Sequence, residues 1–229
     1  MSTMALETLH DPRYPLAVLI SGGLDSAVLL CEAAEHRPWV QPIYIRAGTW
    51  WEEAELRQLR RFLDAVRSPR IRPLVQLRVP VDDLYGEHWS LTGQRVPDQD
   101  TPDEAVYLPG RNLLLLGKAL VWCHLNDIPE LALAPLSANP FPDASPEFFD
   151  LMQETVNRAV SGRVRIIWPY LHLSKAEVIR RGSRYPLVHT LSCMRPGPGG
   201  THCGRCNKCA ERRRAFAEAS VHDPTNYDA

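Results

Sequence analysis

An apolar run, Leu16-Ala17-Val18-Leu19-Ile20, breaks directly into Ser21-Gly22-Gly23-Leu24-Asp25-Ser26, and the stretch from about Ser26 to His36 reads as a helix. A strand that passes through adjacent glycines into a helix restricts the fold strongly. It predicts a βα unit whose turn sits at the carboxyl end of a strand, where open α/β sheets place their ligands. The glycines let the backbone approach a phosphate, and the free N–H groups of the first helical turn point at it. The loop adds two hydroxyls, Ser21 and Ser26, and one carboxylate, Asp25. Hydroxyls and amides suit phosphate oxygens, whereas a carboxylate facing phosphates makes sense mainly through a bridging Mg²⁺. This is not a Walker A loop, since no Lys follows and the glycines are adjacent, nor is it G-x-G-x-x-G. The competing explanation is an ordinary strand–turn–helix joint capped by Asp25 or Ser26.

The alternation continues along the chain. Strands are expected at Val40–Ile45, Leu74–Val79, Leu131–Ala134 and Arg165–Trp168, and helices at Glu52–Val66, Arg111–Leu125 and Pro146–Val160. A short helix over Ser174–Arg181 carries a capping box, Ser174 with Glu177 three residues on. Strands alternating with helices predict an α/β fold, a mostly parallel sheet with helices on both faces. Residues 85–110 lack periodicity and carry Pro97, Pro102 and Pro109, so they are expected to form an active-site loop or lid. At 229 residues and 45% hydrophobic content the chain has enough material for a full core. A net charge of −1 provides no field for nucleic acid, and no stretch approaches the ~20 apolar residues of a membrane span. Residues 1–15 lack the apolar core of a signal peptide.

Cysteine placement divides the chain. Cys31 and Cys123 stand alone in apolar helical stretches, while Cys193, Cys203, Cys206 and Cys209 crowd together as C-x₉-C-x₂-C-x₂-C. That distribution predicts a cytoplasmic metal-binding protein rather than a disulfide scaffold. Gly204 and Asn207 suit tight turns between the ligands, and Pro196-Gly197-Pro198-Gly199-Gly200 lets Cys193 close the fourth corner. Four thiolates favour tetrahedral Zn²⁺ in a closed knuckle, with an iron–sulfur cluster as the rival. A nucleotide-binding α/β domain at 16–185 and a zinc-binding subdomain at 186–220 are the expected divisions. His202 reads as a surface residue or a support for a ligand. Two further cations stand near predicted helix starts: Arg111, within Tyr107-Leu108-Pro109-Gly110-Arg111-Asn112, and Lys175. Each suits a phosphate; a solvated charge explains Arg111 equally well, and a plain surface lysine is the better reading of Lys175 taken alone. Glu211-Arg212-Arg213-Arg214 reads as a solvated helix face, and Trp50 and Trp51 as packing.

Ser21–Ser26 resembles the loop of the PP-loop ATP pyrophosphatases, which split ATP between the α- and β-phosphates. Together with Tyr107–Asn112, Leu173-Ser174-Lys175-Ala176-Glu177 and the cysteine tail, the chain resembles the 7-cyano-7-deazaguanine synthases, the ExsB family, over roughly residues 16–216. The resemblance implies ATP-dependent conversion of 7-carboxy-7-deazaguanine and ammonia to the nitrile, through an adenylated carboxylate, an amide and a second activation. It implies ATP held by Ser21, Gly22, Gly23, Leu24, Asp25 and Ser26, with Mg²⁺ at Asp25. Arg111 and Lys175 would then stabilise phosphate charge, and Zn²⁺ would sit on Cys193, Cys203, Cys206 and Cys209. The family is commonly dimeric, which implies a homodimer. No glutaminase element is recognisable, so ammonia arrives free or from a partner.

Two segments depart from the family pattern. Its aromatic-Gly-Gln-Arg-His segment is Arg46-Ala47-Gly48-Thr49-Trp50-Trp51 here. Its Asp-x-Ser-Gly-Tyr-Pro-Asp-Cys-Arg stretch, which lines the deazapurine pocket, is Ser137-Ala138-Asn139-Pro140-Phe141-Pro142-Asp143-Ala144-Ser145. Phe141 and Asp143 remain as candidates to stack on the heterocycle and accept its ring N–H groups. The alternatives are a PP-loop ligase with another acceptor, such as a tRNA-modifying sulfur-transfer enzyme, and a non-catalytic zinc-dependent regulatory protein. The first needs a reactive, unligated cysteine.

Overall fold

The computed structural model describes residues 8–228. In chain order the elements are β1 (Leu16–Leu19), α1 (Leu24–His36), β2 (Val40–Arg46), α2 (Glu52–Ala65), β3 (Val75–Arg78), α3 (Asp82–Tyr85) and α4 (Trp89–Thr92). There follow α5 (Arg111–Leu125), β4 (Glu130–Ala132), α6 (Pro146–Val160), β5 (Arg165–Ile167), α7 (Lys175–Gly182) and α8 (Asn207–Ala219). The five strands form one parallel sheet in the order β3-β2-β1-β4-β5. The chain therefore runs outward from β1 to β3, then crosses back to the other side of β1 for β4. That reversal makes the carboxyl end of β1 a topological switch point, where two neighbouring connections diverge and leave a crevice.

Side-chain alternation along the strands builds two cores. Leu16, Val18 and Ile20 point into one, where they meet Val28, Leu29 and Leu30 of α1, Val178 and Ile179 of α7, and Phe216 of α8. Ala17 points into the other, against Leu116, Leu120 and Cys123 of α5 and Phe149 and Met152 of α6. Helices thus cover both faces, as the strand–helix alternation predicts. Pro42 sits inside β2, an unusual place for a residue with no N–H to give a ladder. It is tolerated because pairing of β2 with β3 begins only at Ile43↔Val75, one residue later.

Beneath the sheet, at the amino ends of the strands, Arg37 is fully buried and pairs with Glu130 at 2.6 Å. Its remaining donors reach the carbonyls of Thr8, Leu9 and Tyr14, which ties the start of the described chain to the end of α1. Removing one member of such a pair strands a buried charge and costs about 3–5 kcal/mol.

The element boundaries differ from expectation by a residue or two, with one consequence. Helix α1 starts at Leu24, and Gly23 is its N-cap, with no side-chain cap bond. Asp25 and Ser26 are therefore in the first helical turn and cap nothing. The capping box at Ser174 and Glu177 forms as expected. The segment over residues 85–110 is less irregular than its composition predicts, since it contains α4 and a 3-10 turn at Asp103–Val106. Ala215, Phe216 and Ala219 of α8 enter the main core, so the cysteine-bearing segment shares its packing with the sheet domain. Among the described residues no helix is long and apolar enough to cross a membrane.

Candidate active site

The Ser21–Ser26 loop lies at the switch point and is braced from within. Ser26 Oγ accepts the Ser21 N–H at 3.2 Å and donates to the Gly23 carbonyl at 3.3 Å, and Ser21 Oγ accepts the Gly23 N–H at 3.3 Å. Gly22 has φ +75°, and a Cβ there would come 2.8 Å from Glu55 Cγ, so the position needs glycine on both counts. The Gly22 carbonyl accepts from Leu191 N–H at 2.9 Å, which fastens the loop to the chain that leads to Cys193.

A cleft of about 380 Å³ opens over the loop, lined by Asp25, Arg111, Lys175 and the aromatic rings of Trp51, Trp89, Tyr107 and Phe141. A second lobe of about 240 Å³ continues from it over the strand ends, along Ile20, Tyr44 and Ile45. Ser21, Gly23, Asp25, Glu55, Arg111 and Phe141 line both. The size suits a small-molecule site, and its walls mix apolar and polar groups in similar measure. Among the described residues, Asp25 Oδ1 and Arg111 Nε are buried without hydrogen-bond partners. Two orphaned buried groups of opposite sign in one cleft call for partners from outside the described chain.

Lys175 is no surface lysine. Its Nζ lies 3.3 Å from Asp25 Oδ2 and 2.8 Å from Glu211 Oε1, and its side chain is 15% exposed. Burial alone would lower its pKa, but the two carboxylates together hold it above the ordinary lysine range. Arg111 opens α5 behind Gly110, which adopts a left-handed cap at φ 71°. The neighbouring Asn112 gives its N–H to Asp143 Oδ2 at 2.9 Å and its side-chain amide to the Asp143 carbonyl at 2.8 Å. Asp143 thus satisfies a free N–H at the start of α5 and fixes the helix that carries Arg111. Phe141 stacks on Tyr107, centroids 5.0 Å apart and planes 22° from parallel, and both rings line the cleft.

Glu55 is a site residue that the sequence hides. It is buried on α2, lines both lobes and accepts from the Tyr44 hydroxyl at 2.5 Å. Burial pushes its pKa up to about 7, against the pull of the Tyr44 bond and Arg111. A carboxyl whose folded value lies above its ordinary 4.5 keeps its proton in the fold through a range where the unfolded chain has lost it. Its contribution to stability therefore falls as pH rises from about 4.5 to about 7. Glu55→Gln is expected to be more stable than the parent at pH 8, by at most about 3 kcal/mol, and to lose that advantage at pH 5. Melting curves of the two proteins that stay parallel across this range would contradict the shift.

The four cysteines of the tail come together. Their Sγ atoms all lie within 4.8 Å of one another, with Cys193–Cys206 and Cys203–Cys209 each at 4.0 Å. A tetrahedron with metal–sulfur bonds of about 2.3 Å has edges of about 3.8 Å, whereas a disulfide needs about 2.05 Å. Cys193 Sγ also accepts N–H bonds from Arg195 and Cys203, both at 3.3 Å, as a thiolate does. The site fits a bound metal such as zinc. Gly204, at φ 71°, makes the turn expected of it, but Asn207 is the first residue of α8. Asn207 instead ties the lid down, giving its amide to the Thr101 carbonyl at 2.9 Å and its N–H to the Pro97 carbonyl at 3.0 Å.

Two readings of these residues change here. His202 is not a surface residue: it is buried, and its Nε2 accepts the N–H of Ser192, beside Cys193, at 3.1 Å, which agrees with the alternative of a support for a ligand; burial and Arg212 push its pKa down to about 3. Arg212 is fully buried rather than solvated, donating to Thr190 Oγ1, Ser192 Oγ, Thr225 Oγ1 and the Leu187 carbonyl. Glu211 turns into the cleft. Cys31 and Cys123 are both buried, which pushes their thiols up to about 12, so neither is a thiolate near neutral pH.

A protein-family model described as "Queuosine biosynthesis protein QueC" matches residues 16–220. The chain belongs to that family. Relatives named 7-cyano-7-deazaguanine synthase agree over nearly full length. One from Solidesulfovibrio magneticus is 34% identical, covering 95% of this chain and 97% of the relative. One from Syntrophobacter fumaroxidans is 32% identical over 95% and 98%, and one from Frankia casuarinae 33% identical over 93% and 94%. The match spans the Ser21–Ser26 loop, the aromatic cleft and the cysteine cluster together.

Proposed function

We propose that the cleft converts 7-carboxy-7-deazaguanine and ammonia to 7-cyano-7-deazaguanine at the expense of ATP. The observation that carries this reading is the pair of orphaned buried atoms, Asp25 Oδ1 and Arg111 Nε, in a cleft with one phosphate-loop wall and one aromatic wall. A carboxylate is inert to ammonia until one of its oxygens becomes a leaving group. In the first half-reaction a carboxylate oxygen attacks the α-phosphorus of ATP and pyrophosphate leaves with the bonding pair. The nitrogen of ammonia then attacks the carbonyl carbon, a proton is lost, and AMP departs to leave the amide. A second ATP activates the amide oxygen in the same way. Loss of the nitrogen's protons and departure of AMP give the nitrile.

The chain's own groups divide these tasks. Ser21, Gly22, Gly23, Leu24 and Ser26 surround the pyrophosphate with amides and hydroxyls, and Arg111 and Lys175 offset charge as it builds on the leaving phosphates. Asp25 would hold Mg²⁺, which would offset phosphate charge there; its orphaned oxygen fits that role. Phe141 and Tyr107 receive the flat heterocycle, and Asp143 steadies Arg111 while lining the same wall. Cys193, Cys203, Cys206 and Cys209 would hold Zn²⁺, which would brace the 186–220 subdomain against the 16–185 body. Exposed Leu113 and Leu125 on α5 and Leu151 on α6 supply apolar surface for a homodimer. The two high thiol pKa values weigh against a sulfur-transfer ligase.

The reading is tested by following nucleotide products. AMP and pyrophosphate, not ADP and phosphate, are expected to accumulate only when 7-carboxy-7-deazaguanine is present. Release of ADP, or AMP release independent of the acid, would overturn it.

A further inference from the structure

The metal helix brings a second pair of charges into the cleft. Helix α8 begins directly after Cys206, so Lys208 and Glu211 flank Cys209, and the cysteine cluster sets their direction. Glu211 Oε1 lies 2.8 Å from Lys175, and its Oε2 lies 2.8 Å from Lys208 Nζ. Lys175 in turn lies 3.3 Å from Asp25. A line of alternating charge thus runs from the phosphate loop outward: Asp25, Lys175, Glu211, Lys208. Lys175 and Glu211, inside the line, are each shared between two opposite charges. Lys208 ends it, and among the described residues its ion-pair partner is Glu211 alone.

Position separates Lys208 from Arg111, and its partners separate it from Lys175, which is shared between Asp25 and Glu211. Arg111 lines both lobes beside the phosphate loop, whereas Lys208 lines only the outer lobe, with Trp51, Trp89 and Tyr107. A flat heteroaromatic acid needs two things there, aromatic faces for its ring and a cation for its carboxylate. The Lys208–Glu211 pair is part-exposed, 27% and 24% for the two side chains. Such a pair holds weakly, so an arriving carboxylate can take the ammonium from it at little cost. Glu211 remains between the two lysines, 2.8 Å from each, and relieves their mutual repulsion.

We infer that Lys208 binds the carboxylate of the acceptor before its activation, and that Glu211 is a positioning residue that holds Lys208 and Lys175 in place. The inference rests on the reading of this cleft as one that activates a heteroaromatic carboxylate.

Steady-state kinetics and binding on the metal-loaded full chain test it. Lys208→Ala is expected to raise KM for 7-carboxy-7-deazaguanine by about 10-fold or more, the effect of losing a charge-assisted hydrogen bond, with a much smaller change in KM for ATP. Lys208→Arg is expected to recover most of the loss. Binding of 7-deazaguanine, which has the ring but no carboxylate, should be equal in the parent and in Lys208→Ala. Glu211→Gln should raise KM for both ATP and the acid while the metal content per chain is unchanged. Equal weakening of both deazapurines by Lys208→Ala, or a rise confined to KM for ATP, would overturn the assignment. If the parent cleaves ATP only with a different carboxylate, the substrate reading fails instead. Lys208→Ala should then raise KM for that carboxylate, and an unchanged KM would overturn the assignment of Lys208 as well.

Discussion

Asp25→Asn is expected to lower the rate of acid-dependent AMP release by about 10²–10³-fold while the fold survives. Asn keeps the shape of the side chain but removes its charge, and two functions go with it. The buried Oδ1, which has no hydrogen-bond partner among the described residues, would no longer carry charge for the proposed Mg²⁺. Lys175 loses one of its two counter-charges, at 3.3 Å, and is left to Glu211. Removing one preorganised group that meets developing charge typically costs this much in rate. The pair is only partly buried, at 15% and 22% exposure, so its loss is screened and the expected stability cost is about 1 kcal/mol, or about 2–4 °C in melting temperature. The Mg²⁺ concentration needed for half-maximal rate should also rise. An unchanged rate and an unchanged Mg²⁺ requirement would remove Asp25 from the site.

Cys206→Ser is expected to have the larger effect on structure. The cluster closes a loop that also carries the wall of the cleft: Leu191, Met194 and Val106 pack with Cys193, Cys206 and Cys209. Cys206 forms a bridge with Asp98 of the lid, and the neighbouring Asn207 holds Thr101 and Pro97. With a ligand removed, metal should be lost, and with it a large share of the ordering energy of this segment; structural zinc is worth about 10 kcal/mol or more in small domains. Residues 97–101, which hydrogen-bond to Arg205 and Asn207, should loosen with it. Metal analysis should show the parent loaded and colourless, as zinc and not an iron–sulfur cluster requires, and the variant empty. Limited proteolysis should then cut near residues 97–101 and 195–205 in the variant alone. A metal-free variant with the parent's melting temperature and proteolytic pattern would show that the cluster does not hold the cleft together.

How far the sequence discloses this site depends on the kind of contact. The loop Ser21–Ser26 was legible because strand, turn and helix follow one another along the chain, and local chemistry fixes all three. The cysteine cluster was legible because metal geometry imposes its own spacing. Glu55 was harder: α2 is rich in Arg and Glu, and its charges read as a solvated face. Yet Glu52, Glu55, Leu59 and Phe62 fall on one helical stripe, all buried, so a carboxylate lying in line with Leu59 and Phe62 was the available signal. Arg212 repeats the lesson, since Cys209, Arg212, Phe216 and Ala219 form the buried stripe of α8. Lys208 and Glu211 left no such trace. Their place in the cleft follows from how α8 packs on α7, where Lys175 meets Glu211 across 36 residues of sequence, a contact that no local pattern encodes.

Activation of a deazapurine carboxylate at the phosphate loop is tested most directly by mass spectrometry of the deazapurine. The metal-loaded protein is incubated with 7-carboxy-7-deazaguanine, ATP, Mg²⁺ and ammonium. The expected result is the mass of the nitrile, with the amide appearing transiently before it and ¹⁵N from labelled ammonium carried into both. A deazapurine of unchanged mass, with or without ATP cleavage, would contradict that activation.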